Sequence, residues 1–432
     1  MIALDAFARA VDGRWIAPGT GLVVGAGIDT RSLEPGQAFF ALPGTRVDGH
    51  DFLDAAKRCG ASVAVVERAV PVPDGLAVLR VSSVRDALWC AAEHYRAHLP
   101  GRVVAVMGSN GKTTTVRMLA SILGRSHAVH ASARSFNNAL GLPLTILNCP
   151  PTAEVMVCEL GEGEPGALPR YVRLAQPDLA LVTSVGRAHV GELGGLEAVR
   201  REFEQALRDL PEAGCAIAPA DLGWSGAPWS GVCEARHEQD RCVFELSDGS
   251  FWRLPVAGLH NAQNAAMAIA AARMLGLPDG LIADGLACFE PADMRLAIRR
   301  FAGATVIVDC YNANPDSTQA ALTTLEDLGT GRRKVAVLGD MLELGPDAER
   351  WHEEIGLRAS TVADECVFIG ALSRSAHRSV GGAWFESIDH AREHVRSMLQ
   401  PGTVLLLKGS RGLALEGLLP ADQDSVPRSM VV

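Results

Sequence analysis

Val103-Val104-Ala105-Val106-Met107-Gly108-Ser109-Asn110-Gly111-Lys112-Thr113-Thr114-Thr115 decides how this chain is read. Residues 103–107 are a short apolar run, as expected of a strand covered on both faces of a parallel sheet. Gly108 and Gly111 break it, and Val116, Leu119, Ile122 and Leu123 then recur at helical spacing. Strand, glycine loop, Lys-Thr and helix together form a phosphate cradle. The glycines let backbone N–H groups close on an anion, and the helix N-terminus adds partial positive charge. Lys112 is expected to reach the terminal phosphates, and the Thr113 hydroxyl to hold Mg²⁺. Val106 stands where the generic pattern has its first glycine, so the loop is the shorter G-x-x-G-K-T-T form.

The 432 residues suggest two to four domains, at about 150 residues each. Hydrophobic residues make up 48% and charged residues 21%, ordinary for an α/β protein with buried cores. A formal charge of −10 and a pI near 5.7 argue against a nucleic-acid-binding face. They leave room for anionic ligands, since a glycine loop binds phosphate locally. The ten cysteines form no C-x-x-C pair and lie mostly in apolar runs, as in reduced cytosolic proteins. The N-terminus lacks the apolar core of a signal peptide, and no apolar run is long enough to span a bilayer.

Residues 1–98 read as a first unit. A short amphipathic helix over Leu4–Val11 is followed by polar turns at Asp29-Thr30-Arg31 and Asp48-Gly49-His50, a helix near 52–59 and a strand over Ala61–Val66. Spacing alone makes those Asp and Gly residues turn formers, and no nucleotide fingerprint marks a ligand there.

Residues 99–293 read as a second unit, a doubly wound parallel sheet. Its apolar runs end in polar residues: Val155–Cys158 in Glu159, and Leu179–Thr183 in Ser184 and then His189. Ligands of such sheets sit at the carboxyl ends of the strands. Glu159 and His189 therefore fall on the rim that carries Lys112 and Thr113, where both are plausible Mg²⁺ ligands. Asn137 and Asn138 can form a turn or bind a carboxylate or phosphate without adding charge. Residues 260–264, His-Asn-Ala-Gln-Asn, open an Ala-rich helix, and their amides either cap it or face a nucleotide base.

Residues 294–432 repeat the strand logic without a phosphate loop. Runs end at Asp309, at Gly339-Asp340, at Gly370 and at Lys408-Gly409-Ser410-Arg411. Two α/β units with polar strand ends imply a cleft between them. The tail after Pro420 reads as disordered.

These motifs resemble the Mur ligases, and within them the MurF type most closely, over nearly the whole chain from Asp29 to Glu416. Gly108–Thr114 resembles the ATP loop of that family. Asp29-Thr30-Arg31 with Asp48-Gly49-His50 is similar to its N-terminal domain for the UDP-sugar acid substrate. Phe136–Pro143, Glu159-Leu160-Gly161 and His260-Asn261 with Asn264 resemble central motifs. Tyr311–Ser317, Val337–Gly345 and Lys408–Arg411 are the most specific.

The resemblance implies a three-domain architecture with a central P-loop ATPase-like parallel sheet and a C-terminal Rossmann-like α/β domain. It implies an ATP- and Mg²⁺-dependent ligase that phosphorylates a carboxylic acid and then joins it to an amine. The acid would be UDP-linked and the amine an amino acid or dipeptide, in peptidoglycan precursor synthesis in the cytoplasm, with a monomer as the working form. Gly108, Asn110, Gly111, Lys112, Thr113, Thr114, Asn264, Arg295 and Asp309 would bind the nucleotide. Thr113, Glu159 and His189 would hold metal. Lys112, His189 and Asn138 would serve the chemistry. Thr30, Arg31, Asp48, His50, Asn137, Asn314, Asp340, Ser410 and Arg411 would line the substrates' path.

The chain departs from that pattern at one position. A MurF-type enzyme carries a lysine, used as a carbamate, where this sequence has Phe203. Glu202 or Glu204 could supply an oxygen instead, or both could lie on a solvated helix face. The stretches Gly44-Thr45-Arg46 and Asn138–Gly141 also differ slightly from the commonest wording. A relative recruited to another acid and amine is therefore the alternative. An ATP-driven switch and a small-molecule kinase are readings of other classes, and the kinase leaves Tyr311–Ser317 without a role. Replacing Lys112 by alanine is expected to abolish turnover and leave the fold intact.

Overall fold

A computed structural model describes residues 1–44, 46–133, 136–219, 222, 224 and 229–420. The expectation for the tail after Pro420 lies outside these residues, as does Thr45 of the Gly44-Thr45-Arg46 stretch.

The middle sheet is parallel throughout. Its order is Cys215–Ile217, Leu179–Val182, Arg102–Met107, Val155–Glu159 and Val129–Ala131. Val103 to Met107 are wholly buried, which explains a run of β-branched and apolar residues without alternation. Register brings Met107 opposite Val182 and Val106 opposite Glu159, so the loop, Glu159 and the segment leading to His189 leave the sheet on one rim. The helix Lys112–Leu123 packs on the Ala-rich helix His260–Met274, whose small side chains let the two backbones approach.

The C-terminal sheet runs Ala297–Phe301, Ala304–Asp309, Thr403–Lys408, Arg333–Gly339, Glu365–Ile369 and Ala383–Phe385, parallel except for its first strand. An N-terminal sheet of five strands places Val63–Val66 between Val78–Arg80 and Ala38–Phe40. The fold is the α/β type expected from the strand pattern. No helix among the described residues is long and apolar enough to cross a membrane.

Two elements were not foreseen. Residues 232–254 form a three-stranded antiparallel sheet that buries Cys242, Phe244, Leu246, Trp252 and Leu254 against the Ala-rich helix. The strand Ala297–Phe301 pairs with Ala304–Asp309 through a tight turn at Ala302 and Gly303, both at positive φ, +47° and +80°. Its Arg299 and Arg300 hide the apolar signature of a strand.

Candidate active site

The phosphate loop is held by the strand beside it. Ser109 N–H donates to Ser184 O at 2.8 Å, Asn110 N–H to Ser184 Oγ at 2.9 Å, and Thr183 Oγ1 to Asn110 O at 2.5 Å. Gly108 and Gly111 adopt φ of +141° and +84°. A side chain on Gly111 would run into Asn264, which explains both the glycine and the tight approach of the Ala-rich helix. Ser109 to Thr114 line the cleft, and the helix starting at Lys112 points its N-terminus into it.

Lys112 does not extend from the loop. Its Nζ donates to Gly108 O at 2.5 Å and to Glu162 Oε2 at 2.8 Å. Glu162 is 1% exposed, and its other oxygen, Oε1, is buried with no hydrogen-bond partner. Glu159, also 1% exposed, is satisfied on both oxygens: Thr113 Oγ1 donates to Oε2 at 2.8 Å and Asn137 Nδ2 to Oε1 at 2.7 Å.

His189 caps the next turn in the left-handed region, at φ +55°. Its Nδ1 lies 2.9 Å from Glu192 Oε2 and 3.0 Å from Glu343 Oε2. Burial draws the His189 pKa down, but the Glu343 hydrogen bond and the charges of Glu162 and Glu343 outweigh burial and leave it raised. The ligand atoms of His189, Glu192 and Glu343 lie within 4.8 Å of one another, close enough to share a cation.

The C-terminal unit closes over this rim. Asn314 Nδ2 donates to Asn110 Oδ1 at 2.9 Å. Arg187 N–H donates to Asp316 Oδ2 at 2.7 Å, its guanidinium lies 3.4 Å from Asp316 Oδ1, and it stacks over Trp351 at 4.5 Å. The cleft so enclosed measures about 740 Å³. Its far end is built by Arg295 stacked over Tyr311 at 4.3 Å and by Asp309 paired with Lys408 at 2.9 Å.

Asn110, Gly111, Lys112, Thr113, Thr114, Asn137, Asn138, Glu159, His189, Asn264, Arg295, Asp309, Asn314, Ser410 and Arg411 all line this one cleft. Thr30, Arg31, Asp48 and His50 do not. Arg31 pairs with Asp29 at 2.5 Å on the surface. The His50 side chain is fully buried between Asp48 Oδ1 at 2.7 Å and Glu67 N–H at 3.0 Å, a packing role in this conformation. Gly108 contributes its carbonyl to Lys112 rather than a lining surface.

Asn138 lines the cleft, and its carbonyl oxygen accepts Leu140 N–H at 3.1 Å and Gly141 N–H at 2.9 Å just ahead of the helix Gly141–Leu147. Asp340 and the acids beside Phe203 do not line it. Asp340 is buried, accepts Ser373 N–H at 2.7 Å and shapes the loop around Ser410 without lining the cleft. Glu202 accepts Gly166 N–H at 2.5 Å, and Glu204 lies between Arg200 and Arg208, so neither reaches the cleft. Phe203 is wholly buried in the core with Val199, Ala206 and Leu207. Glu162 and Arg187 went unread, and Asp316 was read only as part of Tyr311–Ser317. The signal of the first two was faint: a second Glu three residues beyond Glu159, and an Arg two residues before His189.

Hard oxygen donors at Thr113, Glu159 and Glu162, with the orphaned Glu162 Oε1, suit Mg²⁺ better than a softer metal.

Comparison with known proteins places this geometry. Residues 23–96 match the catalytic domain of the Mur ligase family, 106–227 the Mur ligase middle domain, and 294–411 the Mur ligase glutamate ligase domain. The UDP-N-acetylmuramoyl-tripeptide–D-alanyl-D-alanine ligase of Bacillus subtilis is 34% identical over 92% of this chain and 93% of its own length. Its Escherichia coli counterpart is 32% identical over the same shares. A crystal structure of MurF from Acinetobacter baumannii superposes with a TM-score of 0.85 at 31% identity, covering 96% of this chain and 97% of that one. MurF ligase from Thermotoga maritima in complex with ADP gives 0.79 at 26% identity, covering 91% and 96%.

Proposed function

The chain belongs to the Mur ligase family, and from that premise we propose that it joins UDP-MurNAc-tripeptide to D-alanyl-D-alanine, forming ADP and phosphate. One observation carries the reading. The phosphate loop and the Thr113–Glu159 pair face, across a single cleft, the residues Asn314, Ser410 and Arg411 of the C-terminal unit. We assign residues 1–98 to the acid substrate, 99–293 to ATP and 294–432 to the amine.

The triphosphate lies against the loop's N–H groups and the helix N-terminus, with Lys112 as its cation. An oxygen of the acid's carboxylate attacks the γ-phosphorus, and ADP leaves. The amine nitrogen then attacks the acyl carbon, the phosphate departs with that oxygen, and the amine gives up a proton. Thr113, Glu159 and His189 would hold Mg²⁺, which screens the repulsion between triphosphate and carboxylate when bound. Two like charges about 4 Å apart repel by about 4 kcal/mol at an effective dielectric near 20. The Asn110–Asn314 and Arg187–Asp316 contacts hold the two walls of the cleft together, and a site closed in this way would protect the acyl phosphate from hydrolysis. The nucleotide base sits near Asn264, Arg295 and Asp309. One chain lines the whole cleft, and we infer a monomer acting in the cytoplasm, where ATP is available.

The test is ADP release from the purified chain with each substrate omitted in turn. Release should require ATP, UDP-MurNAc-tripeptide and D-alanyl-D-alanine together. Phe203 favours one second reading, a ligase of the same type with another acid. Turnover with a different acid, and none with the muropeptide, would select it.

A further inference from the structure

Glu162 is the oddest charged group in the cleft's surroundings. Its side chain is wholly buried, one oxygen rests on Lys112 at 2.8 Å, and the other meets no donor. A fold seldom keeps a buried carboxylate oxygen without a partner. Its neighbour Glu159, equally buried, has donors on both oxygens. Lys112 is the one cation paired with Glu162 among the described residues, and it is also the group that must turn to the phosphates. Once Lys112 is shared with a triphosphate, two anions face each other across it with one positive charge between them.

A divalent cation resolves that imbalance, and a hard one favours carboxylate and phosphate oxygens. Phe203 offers no donor and Glu204 is tied to Arg200. Glu202 also keeps a buried oxygen without a donor, Oε2, but its Oε1 takes Gly166 N–H and not the phosphate-loop lysine, while His189, Glu192 and Glu343 form their own cluster. We propose that Glu162 supplies a carboxylate oxygen to a divalent cation bound together with the triphosphate beside Lys112. The inference rests on the ATP-binding part of the proposed function and not on the identity of acid or amine.

The test is a titration of Mn²⁺ into the full chain with the non-hydrolysable analogue AMP-PNP, following free Mn²⁺ by electron paramagnetic resonance. Neither acid nor amine is present, so a wrong substrate assignment leaves the result untouched. The wild-type chain should bind two Mn²⁺. Glu162→Gln should weaken one of them by about tenfold or more while AMP-PNP still binds. Glu162→Asp, which keeps a carboxylate, should retain both with the weaker one shifted by about threefold or more. Should Glu162→Gln fail to fold, Glu162→Asp decides alone: unchanged Mn²⁺ binding overturns the proposal. So would a single Mn²⁺ in the wild type, or unchanged Mn²⁺ binding in Glu162→Gln with tighter metal-free AMP-PNP binding. That last outcome would make Glu162 only a resting partner for Lys112.

Discussion

Asn314 joins the two walls of the cleft with one side chain. Its Nδ2 donates to Asn110 Oδ1 at 2.9 Å, while its Oδ1 accepts Ser317 N–H at 2.9 Å and caps the helix Pro315–Leu328. Cap and bridge separate by substitution. Asn314→Ala should lose about 1 kcal/mol of stability and also lose activity. Asn314→Asp keeps an N-cap oxygen but replaces the donor facing Asn110. It should denature in urea close to wild type yet turn over at least about fivefold more slowly, since one hydrogen bond to the loop is worth roughly 1 kcal/mol or more. Equal activity in Asn314→Asp would remove the bridge from the closed state.

Lys112 has two jobs that sequence reasoning merged into one. Lys112→Ala should lower turnover by about 10²–10³ or more, as for loss of a charge-stabilising donor. It should also destabilise the chain, contrary to the expectation from sequence, because Glu162 is left buried without its cation. Breaking a buried pair from one side costs about 3 kcal/mol or more. Adding Glu162→Gln to Lys112→Ala should recover most of that loss in urea denaturation while turnover stays absent. Wild-type stability in Lys112→Ala alone would contradict a structural role for the Lys112–Glu162 pair.

His352 gives the pH dependence a sign. Its Nε2 accepts Met341 N–H at 2.9 Å and its Nδ1 faces Ala348 O at 2.7 Å, so the ring is neutral with its proton on Nδ1. Burial lowers its pKa, against smaller opposing effects from Ala348 O and Asp340. The unfolded imidazole titrates near its ordinary value of about 6.5 and binds protons before the folded one does. The stability His352 contributes is thus whole above about pH 6.5 and is lost as pH falls through the lowered folded value. His352→Gln keeps an oxygen for Met341 N–H and should remove that part of the pH slope in thermal melts. An unchanged slope would assign the acid loss to other groups.

Glu159 should set the metal requirement. Glu159→Gln keeps the volume between Thr113 and Asn137 but not the charge. The Mg²⁺ concentration for half-maximal ADP release should rise about tenfold or more, with near-native melting. Chelation should stop the wild-type enzyme outright. A Mg²⁺ requirement unaltered in Glu159→Gln would move the metal elsewhere on the rim.

The sequence was most legible where strand, turn and helix signals agree. Residues 103–123 show it: the buried run, both glycines and the helix spacing point to one structure. Glu159 and His189 followed because parallel strands deliver their last residues to a common rim. What stayed hidden depends on packing. His50 and Asp340 read as polar loop residues available to ligand, yet both are taken up by backbone N–H groups. Glu162 drew no reading, because nothing local says that the chain folds it under Lys112. The antiparallel strand Ala297–Phe301 was masked by its arginines, and its turn at Ala302-Gly303 lacks the Asn-Gly signature.

The central chemical claim is that the acid's own oxygen is transferred to phosphate at the rim of the middle sheet. The direct measurement uses substrate acid labelled with ¹⁸O in its free carboxylate and mass analysis of the inorganic phosphate after one round of amide formation. Phosphate carrying one ¹⁸O for each amide formed is the expected result. Phosphate without label, at full amide yield, would contradict the acyl phosphate and with it the roles given to Lys112, Thr113 and Glu159.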